Sequence, residues 1–166
     1  RCDAIVNAAN SALLGCFVPC HGCIDNAIHT YAGVQLRLAC AELMAAQGHP
    51  EPTGRAKITP AFNLPSRYVL HTVGPIVRNR PTARDEALLA ACYRSCLALA
   101  AAHGARSVAF CCISTGEFHF PSARAAQIAV QTVREARKTL QHEMDVIFNV
   151  YQERDLRIYE GLLAGR

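Results

Sequence analysis

At 166 residues, with 51% hydrophobic and 18% charged side chains, the chain has the size and apolar content of one globular domain whose core holds without staples. Its net charge of +4 comes from Lys and Arg scattered along the sequence, which offers no stripe for a nucleic-acid backbone; no apolar run reaches the roughly 18 residues of a membrane span, and no secretory leader opens the sequence. Nine cysteines are an odd number, and Cys40, Cys92 and Cys96 fall at helix-core spacing, so reduced thiols in a cytosolic protein are expected in place of a disulfide framework; a monomer is expected.

DAIVNAA, Asp3 to Ala9, is short, β-branched and apolar enough for a buried first strand. A cysteine-rich loop follows, and then Ile28, Tyr31, Ala32, Leu36, Ala39, Cys40 and Leu43 recur at the spacing of one long helix. GHPEPTG, Gly48 to Gly54, is a breaker cluster, after which RAKITPAF and RYVLHTV read as two strands separated by NLPS. Pro60 puts the first of them at an edge or marks its end. Leu89, Cys92, Tyr93, Cys96, Leu99 and Ala100 carry a second helix, and SVAFCCI, Ser107 to Ile113, a buried strand. The loop STGEFHFP leads to a third helix, capped by Ser122 and running through Ala125, Ala129, Thr132, Ala136 and Leu140. MDVIFNVY is the last strand, and Asp155 to Leu163 a last short helix. Strands alternating with helices, without repeat or linker, predict a three-layer α/β/α sandwich around a mixed, largely parallel sheet.

In such folds ligands settle beyond the carboxyl ends of the strands, where helix N-termini and loop amides meet anions. Two loops hold that position: NAANSALLG after the first strand, and STGEFHFP after SVAFCCI. Ser114, Thr115 and Gly116 let backbone N–H groups line a concavity suited to a phosphate, although such triplets also make plain turns. A third feature is GCFVPCHGCIDNAIH, with three cysteines and a histidine between Cys16 and Cys23 and an aspartate, Asp25, two residues on.

DAIVNAAN, IDNAIHTYAG and a downstream STGEFHFP before a helix together resemble the macrodomain family over nearly the whole chain. GCFVPCHGCIDNAIH, in place of the glycine-rich loop usual there, looks like the zinc-containing branch, the protein-ADP-ribose hydrolases. The resemblance implies ADP-ribose as ligand and removal of ADP-ribose from protein side chains as activity. It further implies a lipoyl-carrier protein as the modified partner and a sirtuin-type ADP-ribosyltransferase as the opposing enzyme. Macrodomains usually carry a GDI-type segment on a strand before DAIVNAAN, whose aspartate grips the adenine amino group; this sequence starts at Arg1 without it, so residues 1–166 are expected to be a single macrodomain core lacking that N-terminal strand.

Zinc takes thiolate and imidazole ligands in tetrahedral array, and a catalytic site keeps one position open. Cys16, His21 and Cys23 would leave that position, whereas adding Cys20 would close it; adjacent Cys20 and His21 extend in different directions, which favours the three-ligand set, as does the branch pattern. Buried free thiols and a closed structural zinc are the plain alternatives. Asp25 matches an acidic position beside the distal ribose and is expected as general base, with a helix N-cap as its simplest other role. Asn10 matches the family asparagine that bonds distal-ribose hydroxyls and is expected in the catalytic set beside Asp25 as well as in the substrate-binding set, and Asn7, placed with it in the latter, is expected mainly to brace the loop. His29 is expected to be satisfied by backbone and His71 to be a core histidine. Gly33, costly inside a helix, points to close approach of ligand or backbone. Glu117, Phe118 and His119 belong to the loop that covers diphosphate and ribose, with Phe118 or Phe120 as the shield. Asn149 and Tyr151 are candidates for the adenine pocket.

Overall fold

Alternation within AIVNA sends Ala4 and Val6 to one side of the first strand and Ile5 and Asn7 to the other, and the rest of the molecule is layered on that division. The computed structural model describes residues 1–140 and 142–165. Strand β1 (Ala4–Ala8) is followed by α1 (Ile24–Ala32), α2 (Val34–Gln47), β2 (Ala56–Pro60), β3 (Tyr68–Thr72) and α3 (Ala83–Ala102). β4 (Ser107–Phe110), α4 (Ser122–Arg137), β5 (Asp145–Phe148) and α5 (Glu153–Ala164) complete the order. The five strands form one sheet in the order β2-β3-β1-β4-β5, with β1 at its centre. β1 runs parallel to β3 and β4, and β4 to β5, while β2 pairs antiparallel at one edge, where its last residue, Pro60, gives up no ladder bond that matters.

On one face Ala4, Val6, Leu70, Val108 and Phe110 pack against α3, α4 and α5. Tyr93 of α3 and Phe110 of β4 meet there with ring centroids 4.9 Å apart, and full burial of such a side chain contributes about 2–3 kcal/mol. On the other face Val69 packs with Ile28, Ala32 and Leu36 of α1 and α2. Two apolar layers on opposite faces of one mixed sheet make the three-layer sandwich that the alternation of elements predicts.

The local differences have local causes. The single long helix is two helices, because Gly33 adopts φ 90° and ψ 174°, a conformation outside any helix, where a Cβ would lie 2.8 Å from Asn63 Nδ2. Apolar spacing runs straight through this break because Ile28, Ala32 and Leu36 enter the same cluster from both sides of it. Ser122 does not cap α4: Pro121, its φ fixed at −59°, precedes the first turn and makes no side-chain cap, and Ser122 Oγ instead accepts a bond from Arg154 at 3.1 Å. α4 ends at Arg137, and Leu140 keeps the apolar spacing by packing against the main core from beyond that end. The last two strands are shorter than MDVIFNVY and SVAFCCI suggest, since the chain leaves the sheet after Asn149 N–H donates to the Phe110 carbonyl at 2.7 Å. α3 begins with a reciprocal cap in which Asp85 N–H donates to Thr82 Oγ1 at 3.2 Å and Thr82 N–H to Asp85 Oδ2 at 2.8 Å.

Candidate active site

The carboxyl ends of β1, β4 and β5 open toward the same rim, and there the loops after β1 and β4 enclose a cleft of about 890 Å³, within the roughly 300–1,000 Å³ usual for small-molecule sites. Ala8 to Asn10, Cys111, Cys112 and Asn149 form its base.

On one wall the sequence CFVPCHGC brings Cys16, His21 and Cys23 together, their ligating atoms all within 4.8 Å of one another. Cys16 Sγ lies 3.2 Å from His21 Nδ1; a tetrahedral centre with Zn–S near 2.3 Å and Zn–N near 2.05 Å sets such a pair about 3.6 Å apart, so this donor set fits a soft divalent cation with a small adjustment. The Val18 N–H, and then the His21 ring, hold the Cys16 thiol below its ordinary range, whereas burial pushes the Cys23 thiol up. Cys23 is also the N-cap of α1, its sulfur accepting from Asn26 N–H at 3.4 Å. Cys20, at φ 56°, is exposed and stands outside this group. On its far side the His21 ring meets Glu117 from the opposite wall, with Nε2 3.2 Å from Oε1.

Asp25 is not the helix cap, since Cys23 fills that position and α1 starts at Ile24. It sits in the first turn, 4% exposed, at the floor of the cleft. Asn7 Nδ2 donates to Asp25 Oδ1 at 2.8 Å and lies 3.2 Å from His71 Nδ1, its parallel partner across β1 and β3. His71 Nε2 in turn lies 3.0 Å from Thr59 Oγ1 and 3.6 Å from Cys40 Sγ. With the Asn7 amide donating to Nδ1, the imidazole carries its proton on Nε2. Burial raises the Asp25 carboxyl above the usual carboxylate range, against the opposing Asn7 bond, and pushes His71 down to about 3 and Cys40 up to about 12. A carboxylate desolvated on the cleft floor and oriented by an amide is a candidate general base. His29 is not satisfied by backbone: both ring nitrogens lack a hydrogen-bond partner among the described residues, and Nε2 stands 3.5 Å from Asp25 Oδ1.

Asn7 is fully buried and lies behind the cleft rather than in it, so it touches no ligand there and acts on Asp25 instead. Asn10 does line the cleft, with Nδ2 donating to the Gly15 carbonyl at 3.1 Å and Oδ1 accepting from Ala12 N–H at 3.0 Å, which fastens the loop leading to Cys16. Gly33 is not among the lining residues; the close approach there is Asn63.

The other wall is the loop after β4, where Ser114, Thr115, Gly116, Glu117 and Phe118 all border the cleft. Ser114 takes φ 65°, and the N–H groups of His119 and Phe120 donate to the carbonyls of Gly116 and Ser114, both at 2.9 Å. Thr115 N–H donates to the Cys112 carbonyl at 3.4 Å, and the amides of Gly116, Glu117 and Phe118, which border the cleft, have no backbone partner among the described residues, an arrangement that suits an anion. Phe118 faces the cleft, whereas Phe120, 2% exposed, belongs to the main core. Asn149 and Tyr151 border the far end, with Tyr151 fully exposed. Sequence reasoning passed over Gly74, which also lines the cleft and on which a Cβ would lie 2.0 Å from Ser114 Oγ. The glycine-proline pair closing YVLHTVGP is the signal that could have found it.

The sequence profile of the family described as Macro domain matches residues 6–129. A Treponema medium protein named Protein-ADP-ribose hydrolase is 59% identical over 164 residues, covering 99% of this chain and 63% of that protein. A Staphylococcus aureus protein of the same name is 53% identical over 161 residues, covering 96% and 60%. The chain thus spans about three fifths of the length of these curated relatives. Among solved structures, a mutant Oceanobacillus iheyensis macrodomain with ADPR matches with a TM-score of 0.86 at 41% identity, over 98% of this chain and 85% of that one.

Proposed function

The chain belongs to the Macro domain family, and on that premise we propose that it binds ADP-ribose in the cleft and hydrolyses it from mono-ADP-ribosylated protein side chains, with zinc held by Cys16, His21 and Cys23. The observation that carries this reading is that the three soft donors and the buried Asp25 open onto one cleft, with only Ile24 between Cys23 and Asp25 in sequence. Relatives named Protein-ADP-ribose hydrolase at 53–59% identity support it.

The amides of the Ser114–Phe118 turn suit the diphosphate, Phe118 the shielding of the distal ribose, and Asn149 with Tyr151 the adenine end. Asn10 holds the loop edge against the ribose, and Asn7 fixes the Asp25 carboxylate from behind. Asp25 takes a proton from a water as that water attacks the anomeric carbon; the bond to the acceptor oxygen breaks, and a side-chain carboxylate leaves. Zinc, when bound, would polarise the scissile ester or a ribose hydroxyl and stabilise negative charge on the departing group. An ester to aspartate or glutamate suits this set best, because a carboxylate leaves with little protonation. A lipoyl-carrier protein as substrate, a sirtuin-type ADP-ribosyltransferase as the opposing activity and a reducing cytosolic setting complete the proposal; nine free cysteines accord with the last.

Single-turnover release of ADP-ribose from a carrier modified on an acidic residue tests the proposal. Asp25→Ala should lower the rate by roughly 10²–10⁴-fold with ADP-ribose binding largely kept. Elemental analysis should give about one zinc per chain, retained in Cys20→Ser and lost in Cys23→Ser. A wild-type protein that binds ADP-ribose but releases none from any acceptor is a non-catalytic reader, and an Asp25→Ala protein at the wild-type rate removes Asp25 from the chemistry.

A further inference from the structure

The two walls of the cleft come from loops 96 residues apart in sequence, and a side-chain hydrogen bond spans them, between His21 Nε2 and Glu117 Oε1 at 3.2 Å. The imidazole is engaged at both nitrogens, since Nδ1 faces Cys16 Sγ at 3.2 Å. A histidine that ligates a cation through Nδ1 needs its lone pair there, so the neutral ring carries its one proton on Nε2. That proton requires an acceptor, and a carboxylate is the strongest one available: it selects the ligating tautomer, fixes the ring plane and makes the ligand more basic. Packing does not explain where Glu117 stands, because its side chain is 71% exposed, against 26% for the His21 ring. Its backbone belongs to the Ser114–Phe118 turn that lines the facing wall of the cleft, the wall proposed for the diphosphate.

We propose that Glu117 is the positioning residue for His21, and that this hydrogen bond links metal binding on one wall of the cleft to ADP-ribose binding on the other. The inference rests on the reading of Cys16, His21 and Cys23 as the zinc ligands. Metal ligation orders the His21 ring and through it the Glu117 side chain; ADP-ribose on the neighbouring amides orders the Glu117 backbone. Each ligand therefore does part of the ordering that the other requires, and linkage makes the effect reciprocal. In this account the backbone of residue 117 serves the substrate and its side chain serves the metal.

The test is competitive zinc titration against a chromophoric chelator, on the full chain, for wild type, Glu117→Gln and Glu117→Ala, each with and without saturating free ADP-ribose. Zinc affinity in Glu117→Ala should fall about 10–100-fold, the usual effect of losing such an outer partner. Glu117→Gln, whose amide oxygen still accepts from Nε2–H, should fall between the two. ADP-ribose should tighten zinc at least about fivefold in wild type and distinctly less in Glu117→Ala. Direct attraction between a diphosphate and the cation acts in both proteins, so the difference between the two factors isolates the bond. Glu117→Ala holding zinc within threefold of wild type, or showing the same ADP-ribose factor, overturns the inference. Equal losses in Glu117→Gln and Glu117→Ala assign the effect to charge alone and overturn it too. Wild-type protein that takes up no zinc removes the metal reading itself, and the inference with it, an outcome distinct from zinc-loaded protein indifferent to residue 117.

Discussion

Gly74→Ala should damage ligand binding from beneath the cleft wall. Gly74 has no left-handed φ, so alanine meets no backbone penalty there. The cost is spatial: the new Cβ would lie 2.0 Å from Ser114 Oγ, 2.8 Å from Ile113 Cγ2 and 3.3 Å from Ser114 Cβ. Ordinary contact begins near 3.5 Å, so residues 113 and 114 must retreat by about 1 Å or more between them. Ile113 is fully buried in the main core, and close-packed interiors yield little to an added methyl group. Ser114 Oγ has no hydrogen-bond partner among the described residues, so moving it breaks no bond, but its backbone, at φ 65°, starts the turn that carries the amides. Overpacking of this kind costs about 1–3 kcal/mol, which lowers Tm by roughly 2–12 °C for a domain of this size. Displacing the first amide of the wall should weaken ADP-ribose by at least about tenfold, equivalent to about 1.4 kcal/mol. Isothermal titration with ADP-ribose beside differential scanning calorimetry reads both effects. Adding Ser114→Gly removes two of the three clashes and should recover part of each loss, with a coupling of at least about 0.5 kcal/mol. An alanine variant that binds within twofold of wild type and melts within a degree of it would show that the Ser114 side chain swings aside without moving the wall, and the reasoning fails.

His71 makes the fold acid-sensitive. It stays neutral in the folded protein down to about 3, whereas the unfolded chain takes up that proton near 6.5; between these values the unfolded state binds more protons, so stability falls as pH falls, by up to about 1.4 kcal/mol per pH unit. Urea midpoints at pH 6.5 and 5 should show a steeper loss in wild type than in His71→Gln, and parallel losses would refute the assignment. Gly33→Ala should cost about 1–3 kcal/mol, from a backbone region that only glycine enters readily and from the 2.8 Å contact with Asn63. Its ADP-ribose affinity should hold within a few-fold by titration, because residue 33 lies outside the cleft; a large loss of affinity at unchanged stability would place it back in the site.

What was legible in the sequence is what short-range chemistry writes. Period-two and period-3.6 patterns located all ten elements as nine, α1 and α2 merged into one, because each buries a face, and the density of soft ligands between Cys16 and Cys23 marked one wall of the cleft before any strand was paired. What stayed hidden depends on register and on contacts between distant segments. Asn7 reads as a loop brace from DAIVNAAN alone; only the parallel pairing of β1 with β3 sets it opposite His71 and leaves its amide to reach Asp25. The Gly33 break escaped because the apolar stripe serves both helices, and periodicity reports which face is buried rather than whether the axis continues. Glu117 read as a ligand contact, since nothing local to STGEFHFP reveals a histidine 96 residues upstream.

The two sides of the cleft are held in different ways, and the difference suits the work proposed for each. Cys23 caps α1 and Asp25 occupies its first turn, so one thiol and the carboxyl group share the frame of a helix that Ile28 and Ala32, further along the face that carries Asp25, anchor in the core. Their separation is therefore set by helical geometry and varies little. A base that must reach one water needs that constancy, because small misplacement costs rate steeply. Cys16 and His21 come instead from the loop before the helix, and Glu117 from the turn across the cleft, with side chains that are half-buried or exposed. Such elements can shift when an anion arrives on the wall. A rigid carboxylate beside an adjustable donor set would let the ligand complete the proposed metal site without disturbing the proposed base, and would confine any ADP-ribose-dependent change to His21, Cys16 and the turn that carries Glu117.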